Sequence, residues 1–313
     1  MSELAELGFD DLLVPVDGSD HAADALSYAL ALATGTGARV HVCSVVNPYT
    51  LSKVTDLREA REGAEEVVAD AERRVEAAGL DAVTAVREGS PADAIREYAE
   101  EAGVDCVVMS THGRSGVERY LIGSVTEKVV RTSPVPVLAV HTTDADGGRE
   151  GEYRRLLLPT DGSAAAAAAE RTAVAFASAF DATLDVVSVV DSTDLATAAG
   201  PTGAEGEAVR QVEKALDARA ARATDAVADD ARAAGVDVET SVEQGSVHER
   251  ILARATETDA DAIVVGTHGR GGVERYLLGS VAEKVVRLAD RPVLVVPADA
   301  ADVEGEGASD AGT

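Results

Sequence analysis

Two segments hold the residues best able to do chemistry. Thr111 to Arg131 reads THGRSGVERYLIGSVTEKVVR, and Thr267 to Arg287 reads THGRGGVERYLLGSVAEKVVR. They differ only at Ser115/Gly271, Ile122/Leu278 and Thr126/Ala282. Each follows an apolar run, Val107-Val108-Met109 or Ile263-Val264-Val265, of the kind that forms a buried parallel strand. Each then turns through glycines into a helix predicted to begin near Ser124 or Ser280. A strand, a glycine-rich turn and a helix start make an anion site, because unpaired backbone N–H groups and the helix dipole face the ligand. Gly266 and Gly269 let the backbone approach a phosphate with no Cβ in the way. The serines have two readings. With Glu127 and Glu283 they match the S-x-x-E capping box, each cap contributing about 1 kcal/mol. Alternatively, their hydroxyls contact a triphosphate. Spacing alone leaves both open.

Other candidates flank these loops. Asp17 and Asp161 each follow a predicted strand within Asp-Gly-Ser. An aspartate there accepts ribose hydroxyls at a strand end, or forms a turn or caps a helix. His112 and His268 are single histidines with no Cys or His near them in sequence, which argues against zinc. Arg114 and Arg270 reach a phosphate or stay solvated. No GxxxxGK[ST] loop, nucleophilic triad, paired-carboxylate signature or catalytic cysteine is present, so the pattern is not that of a Walker-type NTPase.

The elements that must position these residues occur twice. Leu12-Leu-Val-Pro-Val-Asp-Gly-Ser19 recurs as Leu156-Leu-Leu-Pro-Thr-Asp-Gly-Ser163. Glu88-Gly-Ser-Pro-Ala-Asp-Ala-Ile95 recurs as Gln244-Gly-Ser-Val-His-Glu-Arg-Ile251. In the first copy, strands are predicted at 12–16, 39–46, 82–87, 106–110 and 137–140. Helices are predicted near 21–34, 56–78, 91–102 and 124–131. In the second, 164–180 reads as an alanine-rich helix capped by Ser163, and 207–234 as a long charged helix. Alternating strands and helices imply a doubly wound α/β fold, a parallel sheet with helices on both faces. The expected boundaries are one domain over 1–143, a linker over 144–153, a second domain over 154–297 and a disordered acidic tail over 298–313.

Composition narrows the function. The 313 residues are 46% hydrophobic but only 3% aromatic with no Trp, so the cores must be built from Ala, Val and Leu. No apolar run is long enough to span a bilayer, and the first residues lack a basic signal region, so a cytoplasmic protein without membrane contact is expected. Cys43 and Cys106 read as small buried hydrophobes. The net charge of -28 argues against nucleic acid as a direct partner. Acids scattered over the predicted helices, with only four lysines, read as a halophilic surface kept soluble in concentrated salt; the competing reading is an acidic surface for a basic partner.

Taken together, the glycine loops and the Pro-x-Asp after each first strand resemble the universal stress protein family, as a tandem pair covering nearly the whole chain. The family's nucleotide-binding members carry Gly-x2-Gly-x9-Gly-Ser/Thr. The second copy fits with Gly266, Gly269, Gly279 and Ser280. The first fits with Gly113, Gly123 and Ser124 but has Ser110 at the opening position. The resemblance implies two Rossmann-like domains of the adenine nucleotide alpha-hydrolase type, each with a five-stranded parallel sheet. It also implies ATP as ligand, usually with Mg2+. It puts adenine near Val45 and Val189 and ribose near Asp17 and Asp161, beside Pro15 and Pro159. The triphosphate would lie along Met109, Ser110, Gly113, Arg114, Gly123, Ser124 and Val125. Its counterparts in the second copy are Val265, Gly266, Gly269, Arg270, Gly279, Ser280 and Val281. Dimerisation through the last strand is implied too, within one chain as a pseudo-dimer or between chains as a homodimer. The implied role is regulatory or protective. The alternative is a slow ATPase or nucleotidyl-transfer enzyme of the same architecture, which the missing general base disfavours.

The charge balance makes one prediction. Screening of self-repulsion should raise stability as KCl increases. Thermal unfolding midpoints that stay constant from low to molar salt would contradict the halophilic reading.

Overall fold

The computed structural model describes residues 9–50, 54–112, 122–141, 153–191, 207–267 and 278–298. The order in the first copy is β1 (Asp11–Pro15), α1 (Asp20–Thr36), β2 (Arg39–Val46), α2 (Val54–Ala77), β3 (Ala82–Glu88), α3 (Pro91–Ala102), β4 (Cys106–Ser110), α4 (Ser124–Thr132) and β5 (Val137–Val140). The second copy continues with β6 (Arg155–Pro159), α5 (Ala167–Phe180), β7 (Thr183–Asp191), α6 (Glu207–Ala233), β8 (Val238–Gly245), α7 (Val247–Glu257), β9 (Ala262–Gly266), α8 (Ser280–Leu288) and β10 (Val293–Val296). The expected linker and acidic tail fall almost wholly outside the described residues.

The chain divides into two units, and each copy supplies five strands. One unit runs to Glu152 and also takes Ala289–Pro297, so β10 groups with the first copy. Its strand order is β3-β2-β1-β4-β5-β10. The first five strands are parallel, and β10 joins β5 antiparallel, with Leu294 opposite Leu138. This is the pairing of the two last strands that the resemblance implied. The other unit holds Tyr153–Leu288 and carries β9-β6-β7-β8, also parallel.

Burial follows the sequence pattern. β4, β5 and β10 are buried at every position, as near-continuous apolar strands between helical layers must be. β3 and β8 stand last in the strand order and are only partly buried, which their mixed sequences AVTAVRE and VETSVEQG permit. Helices α1 and α2 touch each other and cover β1, β4, β2 and β3, while α3 and α4 pack together as a second layer. α3 starts with Pro91, whose missing N–H is harmless in the first turn, and stops at Gly103, where φ is 65°.

The second alanine-rich helix differs from expectation. Residues Ala164–Ala166 form a 3-10 turn and the α-helix begins at Ala167. Ser163 does not cap it with its side chain, and Ser163 Oγ is buried with no hydrogen-bond partner among the described residues. The reason is local. The Ala166 N–H, a donor that a cap would have satisfied, bonds instead to the Ser163 carbonyl at 3.0 Å. In the first copy Ser19 Oγ does accept from the Ala22 N–H, at 3.2 Å.

The two interiors are wired differently at one equivalent place. In the first copy His41 on β2 contacts Tyr98 Oη on α3 at 2.9 Å and Asp11 on β1 at 2.8 Å. In the second copy the same two positions are Asp185 and Arg254, joined by two hydrogen bonds of 2.8 and 3.0 Å. Asp185 is fully buried. Breaking a buried pair leaves a charge with no partner and costs about 3–5 kcal/mol, whereas replacing both residues with apolar ones costs far less. Arg254→Ala should therefore lower unfolding free energy by about that amount, and Asp185→Leu combined with Arg254→Met should recover most of it. Denaturant unfolding of both variants at one salt concentration checks the pattern.

Candidate functional site

Neighbouring strands create the crevice. β1 lies between β2 and β4, with Leu12 opposite Cys106, and β6 lies between β7 and β9, with Leu156 opposite Ala262. From β1 the chain moves outward to β2 and β3, and β4 and β5 continue on the other side. The sheet order thus reverses at β1/β4 and at β6/β9, and the loops after those strands diverge there. Asp17 and Asp161 therefore face the ends of β4 and β9. In the first copy this closeness is direct, because the rings of His21 on α1 and His112 after β4 have centroids 5.8 Å apart.

Each aspartate is also a turn former. Asp17 Oδ1 accepts the Ser19 N–H at 3.0 Å and the Ser19 hydroxyl at 2.5 Å, and Asp161 Oδ1 accepts the Ser163 N–H at 3.0 Å. Gly18 and Gly162 sit at positive φ, 80° and 67°, which the turn requires. These bonds hold the carboxylates at the strand ends, so the turn role and a position on the crevice coexist.

The helix starts are built identically. The Gly123 N–H donates to the Thr111 carbonyl, and the Gly279 N–H to the Thr267 carbonyl, each at 2.7 Å. The first intrahelical bonds run from the Glu127 N–H to the Gly123 carbonyl and from the Glu283 N–H to the Gly279 carbonyl, each at 2.9 Å. Gly123 is therefore the cap residue of α4, with Gly279 in the same place, and Ser124 and Ser280 are the first helical residues. The capping-box reading of these serines is corrected. Glu127 and Glu283 bond to Arg131 and Arg287 one turn on, at 2.6 and 2.5 Å, and the serine side chains are exposed. The backbone N–H groups of residues 124–126 and 280–282 precede the first intrahelical bond and point out of the helix start.

In the second unit these parts surround a cleft of about 570 Å³, within the roughly 300–1,000 Å³ usual for small-molecule sites. β6 contributes Pro159 and the turn after it Asp161; β7 contributes Val189. Val265 and Gly266 come from β9, and Gly279, Ser280 and Val281 from the start of α8. All the described residues that sequence assigned to the second copy's site thus meet in one cleft. Gly269 and Arg270, with Gly113 and Arg114 in the first copy, lie outside the described residues. So does His268. In the first copy Pro15, Asp17, Val45, Met109, Ser110, Gly123, Ser124 and Val125 occupy the equivalent strand ends and helix start.

Ser110 behaves unlike a glycine. It is buried, and its hydroxyl accepts the His112 N–H at 3.1 Å. Thr126 Oγ1 donates to the Ser110 carbonyl at 2.7 Å, a bond that Ala282 cannot make.

Sequence reading missed three features of the second cleft. Leu216, Arg219 and Ala220 reach it from α6, because helix packing over β7 is a tertiary event with no motif. Asp191 lines it at the end of β7. Thr160 lines it and donates to Glu170 on α5. Burial pushes the Glu170 carboxyl above the usual carboxylate range, opposed by that hydrogen bond and reinforced by the nearby Asp161 charge. The first copy has Val16 and Leu26 at these two positions. Burial also raises the Cys43 thiol to about 11 and Cys106 to about 12, so both are inert buried groups, as expected. No group of three or more potential metal ligands occurs among the described residues. None of the described helices is long and apolar enough to cross a membrane.

Fold and crevice define a tandem doubly wound α/β protein with a cleft at a switch point. The model of the universal stress protein family matches residues 8–141 and 152–297, and the chain belongs to that family in its tandem form. A universal stress protein of Mycolicibacterium smegmatis is 30% identical over 301 residues, covering 91% of this chain and 96% of its own. One from Methanocaldococcus jannaschii is 35% identical over 150 residues, 47% of this chain and 85% of its own. The crystal structure of a universal stress protein from Archaeoglobus fulgidus superposes with a TM-score of 0.70 at 27% identity, covering 93% of this chain and 99% of that one.

The raised Glu170 carboxyl gives a prediction with a definite sign. Its folded form binds a proton more readily than the unfolded chain, so ionisation costs stability as pH rises through the ordinary carboxylate range and beyond. Glu170→Gln keeps an oxygen to accept from Thr160 and removes the charge. The variant should be more stable than the parent at neutral pH, with the advantage disappearing below the ordinary glutamate range. Unfolding curves across pH that show no such crossover would contradict it.

Proposed function

We propose that this protein is an ATP-binding regulatory or protective module, with the second cleft as its principal nucleotide site. The observation that carries the reading is the convergence in one cleft of the strand-end Asp161, the β9 glycine Gly266 and the open helix start at Gly279-Ser280. Adenine would lie against Val189, ribose at Asp161, and the phosphates on the N–H groups of α8. The fit is chemical as well as spatial. The helix start offers unpaired donors and a favourable dipole, and the Ser280 hydroxyl is not used as a cap. A Mg2+ ion would be held mainly by phosphate oxygens with the Ser280 hydroxyl, since Mg2+ needs few protein ligands in such sites. The last-strand pairing fits a pseudo-dimer of the two copies.

The first cleft should bind more weakly. Ser110 adds a Cβ where Gly266 has none, and its hydroxyl takes the His112 N–H, a donor a phosphate would otherwise use. A lost contact of this kind costs on the order of 1–3 kcal/mol, about tenfold or more in affinity.

Calorimetric titration with ATP and Mg2+ tests the reading. Ser280→Ala should weaken the tighter phase about tenfold, and Ser124→Ala should affect only the weaker phase. Because neither serine is a cap, each variant should lose less than about 0.5 kcal/mol of stability without nucleotide. Absence of any nucleotide binding, or a stability loss with affinity unchanged, would overturn it.

A further inference from the structure

Helix α6 brings to the second cleft a cation that the first repeat lacks at the equivalent position. Arg219 lines the cleft beside Leu216 and Ala220. Its position follows from the packing of α6 on the Asp161–Ser163 turn. A Cβ built on Gly162 would stand 2.8 Å from the Ala223 Cβ, so helix and turn touch there with no room for a side chain. Arg219 lies four residues before Ala223, on the same face and about 6 Å along the axis. That places it one turn from the contact, on the rim of the cleft near Asp161. It is exposed, so its guanidinium is accessible to a ligand entering from solvent.

The first repeat has no cation at the equivalent position. From α6 to the glycine that ends β8 the repeats align without a gap, Gly235 with Gly79 and Gly245 with Gly89. On that register Arg219 corresponds to Gly63, an exposed position of α2 with open space around it.

Arg219 also differs from many of the other helical arginines. Arg58, Arg61, Arg96, Arg232 and Arg287 each pair with an acid three or four residues away. Around Arg219 those positions are Ala215, Leu216, Arg222 and Ala223. In a chain with 56 acidic residues, none stands where it would neutralise this arginine along the helix. Among the described residues no carboxylate pairs with it. Asp161 and Asp191 line the same cleft, and a guanidinium beside them offsets their charge towards an anionic ligand, its planar fork matching phosphate oxygens.

We propose that Arg219 is the residue that makes the second cleft select a phosphorylated, negatively charged ligand, by contacting the phosphate next to the ribose placed at Asp161. The proposal rests on the nucleotide reading above and adds which charge state the second cleft prefers. It also makes the two repeats differ in selectivity as well as in affinity.

Titrations with adenosine, AMP and ATP at low ionic strength test it, using the full chain, Arg219→Ala, Arg219→Glu and Gly63→Arg. Arg219→Ala should weaken ATP in one phase roughly tenfold or more, with a similar loss for AMP and none for adenosine. Arg219→Glu should lose more than Arg219→Ala. Gly63→Arg should tighten ATP in the other phase. If both Arg219 variants keep the parent's preference for ATP and AMP over adenosine, the assignment is wrong while the nucleotide reading stands. If the unaltered protein binds none of the three, the nucleotide reading itself falls and this assignment with it. Thermal unfolding without nucleotide should be unchanged by Arg219→Ala, since alanine suits an exposed helical position. An affinity loss accompanied by an equal loss for adenosine would mean damage to the cleft and would overturn the charge-selection role.

Discussion

Two strand pairings decide where the clefts open: β1 beside β4 and β6 beside β9. Because each pair is parallel, its C-terminal ends lie at the same edge of the sheet, and because the chain departs in opposite directions, the loops there diverge. Everything else at the cleft is referred to that gap. The aspartate turn closes one side, and the glycine that caps the following helix closes the other. The 2.7 Å bond from the Gly279 N–H to the Thr267 carbonyl ties the start of α8 to the end of β9. A helix start held this way presents its N–H groups in a fixed direction, which is what recognition of an anion needs.

Duplication has preserved that edge while letting the rest drift. The Gly123–Thr111 and Gly279–Thr267 bonds have the same length. The interiors, by contrast, exchange chemistry freely. A His–Tyr contact in one repeat is an Asp–Arg pair in the other, and Val16 with Leu26 is replaced by Thr160 with Glu170. Both solutions work because a buried polar group is tolerated when its partner arrives with it. Around the cleft the substitutions have another effect. Ser110 consumes a backbone donor in the first repeat, while the second gains a cation on α6. The repeats thus share a scaffold and differ in what their clefts offer a ligand.

Periodicity and composition made much of this legible. The repeat stands in the sequence as two near-identical 21-residue segments. Apolar runs of four or five residues between helical stretches announce buried parallel strands, because only a strand covered on both faces omits polar alternation. The glycine spacing, the Pro-x-Asp turns and the inert buried cysteines followed from local chemistry. The division of roles among the serines did not. S-x-x-E suits a cap, yet the residue that caps is the preceding glycine, since the bond to Thr267 sets where the first helical turn begins. Ser163 was misread for a similar reason: a run of alanines closes a 3-10 turn as readily as an α-turn, and backbone bonding then displaces the side chain.

Sequence by itself therefore determined the fold class, the duplication and the segments that form the cleft, because each depends on patterns a few residues long. Tertiary structure alone decided which residues of α6 join those segments at the cleft. Arg219, Leu216 and Ala220 arrive there only because α6 packs across β7 and against Gly162, and no local signal marks them. It also decided that the last-strand pairing, left open between one chain and two, forms within the chain, since strand partners are chosen by the edge available and not by position in the chain. Local preferences act through neighbours in sequence; burial and strand pairing act through neighbours in space, and those exist only once the chain has folded.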